Sequence, residues 1–344
     1  MRRHPQYPSH PQHRVIVFCT AFELRFVFRP SALSPRCSFD KVCPRLGVSV
    51  NGKAWKRNAA FPQKKSCKEN TLARRMAERK TVMIFSIMAL HIGTSGWSYP
   101  AWKPAFYPEK LPQKKFLEFY STQLNAVELN ATFRRFATAS SLKSWIDATT
   151  PDFRFAAKSH QIITHFKRLK DAADPLRTFL QSMEPMRQSG KLGPILFQTP
   201  PNLHADPALL KEFVQLLPRA YQFAFEFRHE SWFEPELLDI LKEGNAALCW
   251  AESEKIKAPN VVTSNFLYYR FRETDYQQEQ LKKIGEELLQ RSKDMDVFAF
   301  FKHEESPESA VNAVTVSRQA GIEAKPFAMP EKTRTTKTKK KVGE

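Results

Sequence analysis

A chain of 344 residues, 42% of them hydrophobic, is long enough to bury a full core and too apolar to be disordered throughout. Its formal net charge of +19 is uneven: residues 1–88 hold 18 Lys and Arg against 4 Asp and Glu (+14), residues 331–344 hold 6 against 2 (+4), and residues 89–330 hold 30 against 29, only +1. The basic excess therefore sits at the ends, which argues against a polybasic nucleic-acid-binding core, and no run of about 18 apolar residues suggests a membrane span.

Residues 1–88 are rich in Arg, Pro, His and Lys and show no sustained helical or strand period. They read as a disordered or non-native extension, with Met76, Met83 or Met88 as possible native first residues. Arg74–Lys80 followed by Val82–Leu90 has the look of a secretory signal, but no small-x-small site follows and the run passes directly into His91-Ile92-Gly93-Thr94, a strand pattern. Cys19, Cys37, Cys43 and Cys67 lie in this extension without C-x-x-C spacing, and Cys249 alone lies in the middle. That pattern suits a reducing, cytoplasmic setting and gives no reason to expect a metal.

From residue 89 the chain alternates. Strands are expected at 90–95, 126–131, 153–159, 194–199, 222–228, 246–251, 266–272 and 297–302. Helical patterns lie between them: Lys114–Leu124, Ala139–Ala148, Leu176–Met186 interrupted by Pro185, a helix opened by Asp206-Pro207, another opened by Glu234-Pro235, Tyr276–Arg291 and Pro307–Ala320. The link after the sixth strand is too short for a full helix. Eight strands alternating with helices over ~240 residues predict the α/β class and a (β/α)8 TIM-like barrel spanning 89–328, followed by a disordered basic tail at 329–344. An open doubly wound sheet is the alternative. No G-x-G-x-x-G or G-x-x-x-x-G-K loop supports a nucleotide-binding version of it, and no cofactor is expected.

The strand ends carry the chemistry. Alternate side chains of a strand share a face, so Glu128 pairs with Asn130, Lys158 with His160, and Glu226 with Arg228. The same rule brings Ser95, Trp97, Gln198, Glu252, Arg270, Arg272 and Lys302 to the carboxyl end of the barrel, with His229 just beyond strand five. Lys158, Arg228, Arg270 and Lys302 outnumber Glu128 and Glu226, which favours an anionic ligand. Glu226 is a candidate general base or acid, with Glu128 and His229 beside it. The blander readings are a structural ion pair for Glu226 and Arg228, and loop capping for Glu128 and Asn130. His160, His165, His229 and His303 lack zinc-site spacing, and a glycosidase pair of Glu128 and Glu226 needs a separation that sequence does not reveal. Trp97 and Trp232 follow strand ends and suit pocket walls.

Several of these segments resemble the YecE-like family, a domain of unassigned function. They are Gly93-Thr94-Ser95-Gly96-Trp97-Ser98-Tyr99 with Trp102 and Phe106-Tyr107-Pro108, Val127 to Phe133, Phe155 to His165, Leu192 to Pro201, and Glu226 to Phe233. The resemblance covers about residues 90–328. It implies a TIM-like barrel, a bacterial cytosolic setting, and residues 1–88 outside the domain. The family's Tyr-x-Arg-x-His-Gly is here Tyr268 to Glu273, without His and Gly. Its Phe-x-Asn is replaced by Phe301-Lys302-His303, while Asn312 in Ala310-Val311-Asn312-Ala313 matches the family. The function expected is acid–base chemistry, of a hydrolase or isomerase, on an anionic, phosphate-bearing small molecule or nucleic-acid fragment. The alternative is a non-catalytic binder of an anionic ligand or nucleic-acid end. Nucleic acid could also bind the basic termini.

Overall fold

The computed structural model describes residues 89–253, 255–302 and 306–329. The expected extension at 1–88 and nearly all of the expected tail lie outside them. Eight parallel strands close into a barrel in chain order. They are β1 Leu90–Ser95, β2 Ala126–Leu129, β3 Arg154–Lys158, β4 Leu192–Gln198, β5 Phe223–Glu226, β6 Ala247–Ala251, β7 Phe266–Phe271 and β8 Asp296–Phe301. Pairing of Leu90–Thr94 with Val297–Phe301 completes the ring, so none of these eight described strands is left as an edge.

The period of two decides what fills the barrel. Val127, Leu129, Ile195, Phe197, Phe225 and Phe227 face outward into one large apolar cluster shared with the helices. The interior is a second cluster. Ala126, Ala156, Ala224 and Ala247 are small, and Phe266, Tyr268, Phe298 and Phe300 from β7 and β8 cross the barrel to fill the space the alanines leave. At the amino-terminal floor His91 stacks on Phe298 with centroids 4.6 Å apart. Burial, with Arg154 next, lowers its pKa to about 4, so this imidazole is neutral. Asn125 fastens the floor by accepting from Ile92 N and donating to Leu90 O, each at 2.8 Å.

The outer helices are α1 Phe116–Gln123, α2 Ala131–Arg134, α3 Ala139–Asp147, α4 Ala173–Gln188, α5 Pro207–Gln215, α6 Pro235–Gly244, α7 Gln278–Arg291 and α8 Glu308–Gln319. Asp206 caps α5 by accepting from Leu209 N at 3.0 Å, with Pro207 in the first turn as expected. α4 differs from expectation, because it runs through Pro185 to Gln188. The proline stands in the last turn, where its missing N–H deprives only the carbonyl of exposed Gln181, which solvent can satisfy. Between β6 and β7 the described residues form no helix. There the Thr263 hydroxyl ties the link down by donating to Ala246 O and accepting from Leu248 N, both at 2.7 Å. Among the described residues no helix is long and apolar enough to cross a membrane.

Candidate functional site

The inward rows end in two layers at the carboxyl face. The lower layer is sealed. Arg270, fully buried on β7, donates from one terminal nitrogen to Glu226 Oε2 at 2.5 Å and from the other to Glu128 Oε1 at 2.6 Å. Glu128 also accepts from Ser95 Oγ at 2.5 Å and from Tyr268 Oη at 2.7 Å. Burial alone would raise the Glu128 carboxyl; Arg270, Ser95 and Tyr268 outweigh it and hold the pKa below the ordinary carboxylate range. Burial and the Glu128 charge push the Tyr268 phenol far up, so it remains a donor.

Glu226 joins this layer to the one above. Its Oε2 accepts from Gln198 Nε2 at 2.8 Å as well as from Arg270. Its Oε1 accepts from Arg228 Nε at 3.3 Å and from an Arg272 terminal nitrogen. Burial opposes the charge, but Arg270, Arg272 and Arg228 together hold this carboxyl well below its usual range. Above it stands Lys158, half-buried, donating to Gln198 Oε1 at 2.7 Å with its Nζ 4.2 Å from the centre of the Phe133 ring. Burial, with Arg270 next, lowers its pKa to about 8. Arg228 is 35% exposed, and its terminal nitrogens have no hydrogen-bond partner among the described residues. Asn130, at the start of α2, donates to Ser95 Oγ at 3.1 Å and links the β1 and β2 ends.

The profile of the family described as protein of unknown function DUF72 matches residues 91–338. The chain belongs to the DUF72 family. Among its relatives is the UPF0759 protein YunF of Bacillus subtilis, 29% identical over 170 residues, which are 48% of this chain and 59% of YunF. Another is the UPF0759 protein YecE of Escherichia coli, 30% identical over 146 residues, 42% of this chain and 50% of YecE. The matched stretch thus spans little more than half the length of these curated relatives. Two solved DUF72 structures share the barrel. The one from Enterococcus faecalis has a TM-score of 0.60 at 19% identity and covers 70% of this chain and 100% of its own. The one from Thermotoga maritima has a TM-score of 0.57 at 25% identity and covers 67% and 99%. The YecE-like resemblance and the closed-barrel expectation both hold.

Of the residues expected at the site of this DUF72 barrel, Ser95, Glu128, Asn130, Lys158, Gln198, Glu226, Arg228 and Arg270 form one connected network. His160 turns aside: its ring stacks on Phe136 at 4.4 Å, and its Nδ1 accepts from Ile162 N. His229 caps the short turn Glu230–Phe233 through Ser231 and packs against His204 at 3.9 Å. Trp97 meets Trp145 edge-on at 5.5 Å, and Trp232 is buried flat against Phe227 at 4.4 Å, so it is core rather than pocket wall. Lys302 follows β8 and is half-buried, while Asn312 lies on α8 and makes none of the bonds named above. Tyr268 and Phe133 were not foreseen as site residues. Tyr268 carries a readable signal, since it stands two before Arg270 on the same face. Phe133 carries none, because α2 turns it back over β3. Among the described residues no three His, Cys, Asp or Glu side chains are placed to hold a metal ion. A groove of about 420 Å³ lined by Leu176, Leu180, Leu216 and Tyr221 lies on the outer helices and shares no residue with the network.

Proposed function

We propose that this protein is an enzyme that performs acid–base chemistry on a small anionic molecule held at the carboxyl mouth of the barrel. The observation that carries this reading is Arg228. Its Nε is anchored on buried Glu226, while its terminal nitrogens lack a protein partner among the described residues and are open to solvent. An arginine fixed at one edge and free at the other is preorganised for a phosphate or carboxylate. Arg270 alone does not neutralise the two buried glutamates, and Arg228, Arg272 and Lys158 bring three positive charges above them.

Within this reading Glu226 positions arginines instead of accepting a proton, because four donors occupy its two oxygens and its pKa is depressed. Lys158, with a pKa of about 8, is the group suited to move a proton near neutral pH. Ser95, Glu128 and Asn130 hold the β1 and β2 side of the mouth. Calorimetric titration with inorganic pyrophosphate at low salt tests the anion site. Arg228→Gln should weaken binding by about tenfold or more, about 1.4 kcal/mol. Undiminished binding by that variant, or none by the wild type, rejects the site. A metabolite screen then separates enzyme from binder, since turnover should disappear in Lys158→Met.

A second reading has its own support. Residues 129–146, which end and follow β2, and residues 153–170, which contain and follow β3, hold no Asp or Glu. They present Phe136 at 37% and Phe166 at 68% exposure beside exposed Arg134, Arg135, Lys167 and Lys170. Aromatic platforms among cations suit single-stranded nucleic acid. Fluorescence anisotropy with a labelled oligothymidylate decides whether the anion belongs to a strand, in which case Phe166→Ala should weaken binding.

A further inference from the structure

The lysine at the mouth is unlike an ordinary ion-paired lysine. Among the described residues no carboxylate oxygen lies within 4.0 Å of its nitrogen: Glu226 stands beyond Gln198 in the network, and Glu128 further still, beyond Arg270. Its contacts are a neutral amide oxygen and an aromatic face: Gln198 Oε1 at 2.7 Å and Phe133 at 4.2 Å. The Gln198 amide has a fixed sense, because its nitrogen donates to Glu226 Oε2 and its oxygen must then face the lysine. One N–H direction of Lys158 is thereby set. Neither contact demands a charged ammonium: a neutral amine still donates to Gln198 and still packs on Phe133, and its lone pair is then available. Arg228 lies at the same mouth with its terminal nitrogens free of protein partners among the described residues.

We propose that Lys158 is a nucleophile that forms an imine with a carbonyl compound carrying a carboxylate or phosphate, the anionic group being held by Arg228. The proposal rests on the anion-binding reading above and names its substrate class. In the step, the Nζ lone pair attacks the carbonyl carbon and the C=O π electrons move to oxygen. The two amine protons leave with that oxygen as one water molecule as the C=N bond forms. No oxidant or reductant is consumed. Protonated, the imine would be an electron sink for bond cleavage or proton loss at the neighbouring carbon.

The electrostatics agree with this geometry. Burial lowers the lysine from its ordinary value to about 8, Arg270 on β7 and Arg228 after β5 acting with it and Glu128 on β2 and Glu226 on β5 against it. His165, in the turn after β3, is itself held down by burial, Lys158, Arg228 and Arg168. The neutral fraction of Lys158 therefore grows as pH rises through about 8.

Reductive trapping tests the proposal on the full chain. The protein is incubated with pyruvate in one arm and dihydroxyacetone phosphate in the other, then treated with cyanoborohydride, which reduces an imine to a stable secondary amine. For pyruvate the expected product is a mass gain of one pyruvic acid less an oxygen atom, mapped by peptide sequencing to Lys158. Its yield should climb through about pH 8 and fall about tenfold in Arg228→Gln, and Lys158→Arg should lack it. The arm that traps tells whether the anionic group is a carboxylate or a phosphate. No adduct in either arm, or adducts spread over surface lysines and unchanged in Lys158→Arg, overturns it. Pyrophosphate calorimetry on the same preparation keeps the two readings apart. Intact anion binding without trapping removes the imine alone, and loss of both removes the anion site as well.

Discussion

Arg270 is the side chain on which the buried layer depends. It is the only cation that bonds Glu128 in the described structure, whereas Glu226 has Arg228, Arg272 and Gln198 in reserve. Arg270→Met would leave Glu128 with only the Ser95 and Tyr268 hydroxyls. Removing one partner from a buried ion pair costs roughly 3–5 kcal/mol, and that is the loss we expect in urea unfolding at pH 7. The pH dependence should also change sign. In the wild type both carboxyls have pKa values lowered from 4.5, so their stabilisation is present above the unfolded value and is lost as pH falls below it. In the variant burial should raise Glu128 above its unfolded value, so stability should improve as pH is lowered towards 5. Urea midpoints from pH 5 to 8 check this, and parallel profiles for the two proteins would refute it.

At the level of elements, one close approach fixes how β1 meets β2. A Cβ on Gly93 would stand 1.9 Å from Ala126 O, a backbone atom that cannot swing away. The same point is held by Tyr120, whose hydroxyl accepts from Thr94 N at 2.8 Å and donates to Ala126 O at 2.9 Å. We expect Gly93→Ala to cost about 3 kcal/mol or more, the upper end of overpacking, because the β1–β2 pairing itself must open. Gly190→Ala is the control. Gly190 has φ +73 with nothing within 4 Å, so only backbone strain of about 1–2 kcal/mol applies there. Equal losses for the two would show that crowding at the strand is not the cause. The strands themselves were legible, because inward and outward rows differ in chemistry at every second residue and the helices between them repeat on a different period. Pro185 misled because a proline in a final turn removes one bond without ending the helix. His160 and His229 lie outside the network for local reasons: the His160 ring stacks on Phe136 and its Nδ1 accepts from Ile162 N, and the His229 Nδ1 accepts from Ser231 N at the start of the next turn.

The site belongs to the closed ring as a whole. Arg270 and Glu128 are 142 residues apart, and Lys158 and Gln198 are 40 apart. Alternation shows that each points inward, but strand tilt decides which inward side chains touch, and that tilt exists only once β8 has paired with β1. This is why most members of the network could be read from sequence while the partners they meet across the barrel could not; Glu226 and Arg228, two residues apart, are the pair that alternation alone brought together. It also makes closure testable. A chain ending at residue 295 lacks β8, exposes the paired edges of β1 and β7, and removes Phe298 and Phe300 from the interior that the β2, β3, β5 and β6 alanines leave empty. We expect it to aggregate or to lose a cooperative unfolding transition. A chain ending at residue 329 keeps every strand and sheds six of the basic residues, so its urea midpoint should match that of the full protein. A cooperative transition in the shorter chain would mean that seven strands suffice. The buried ion network would then have to assemble without the geometry that closure imposes.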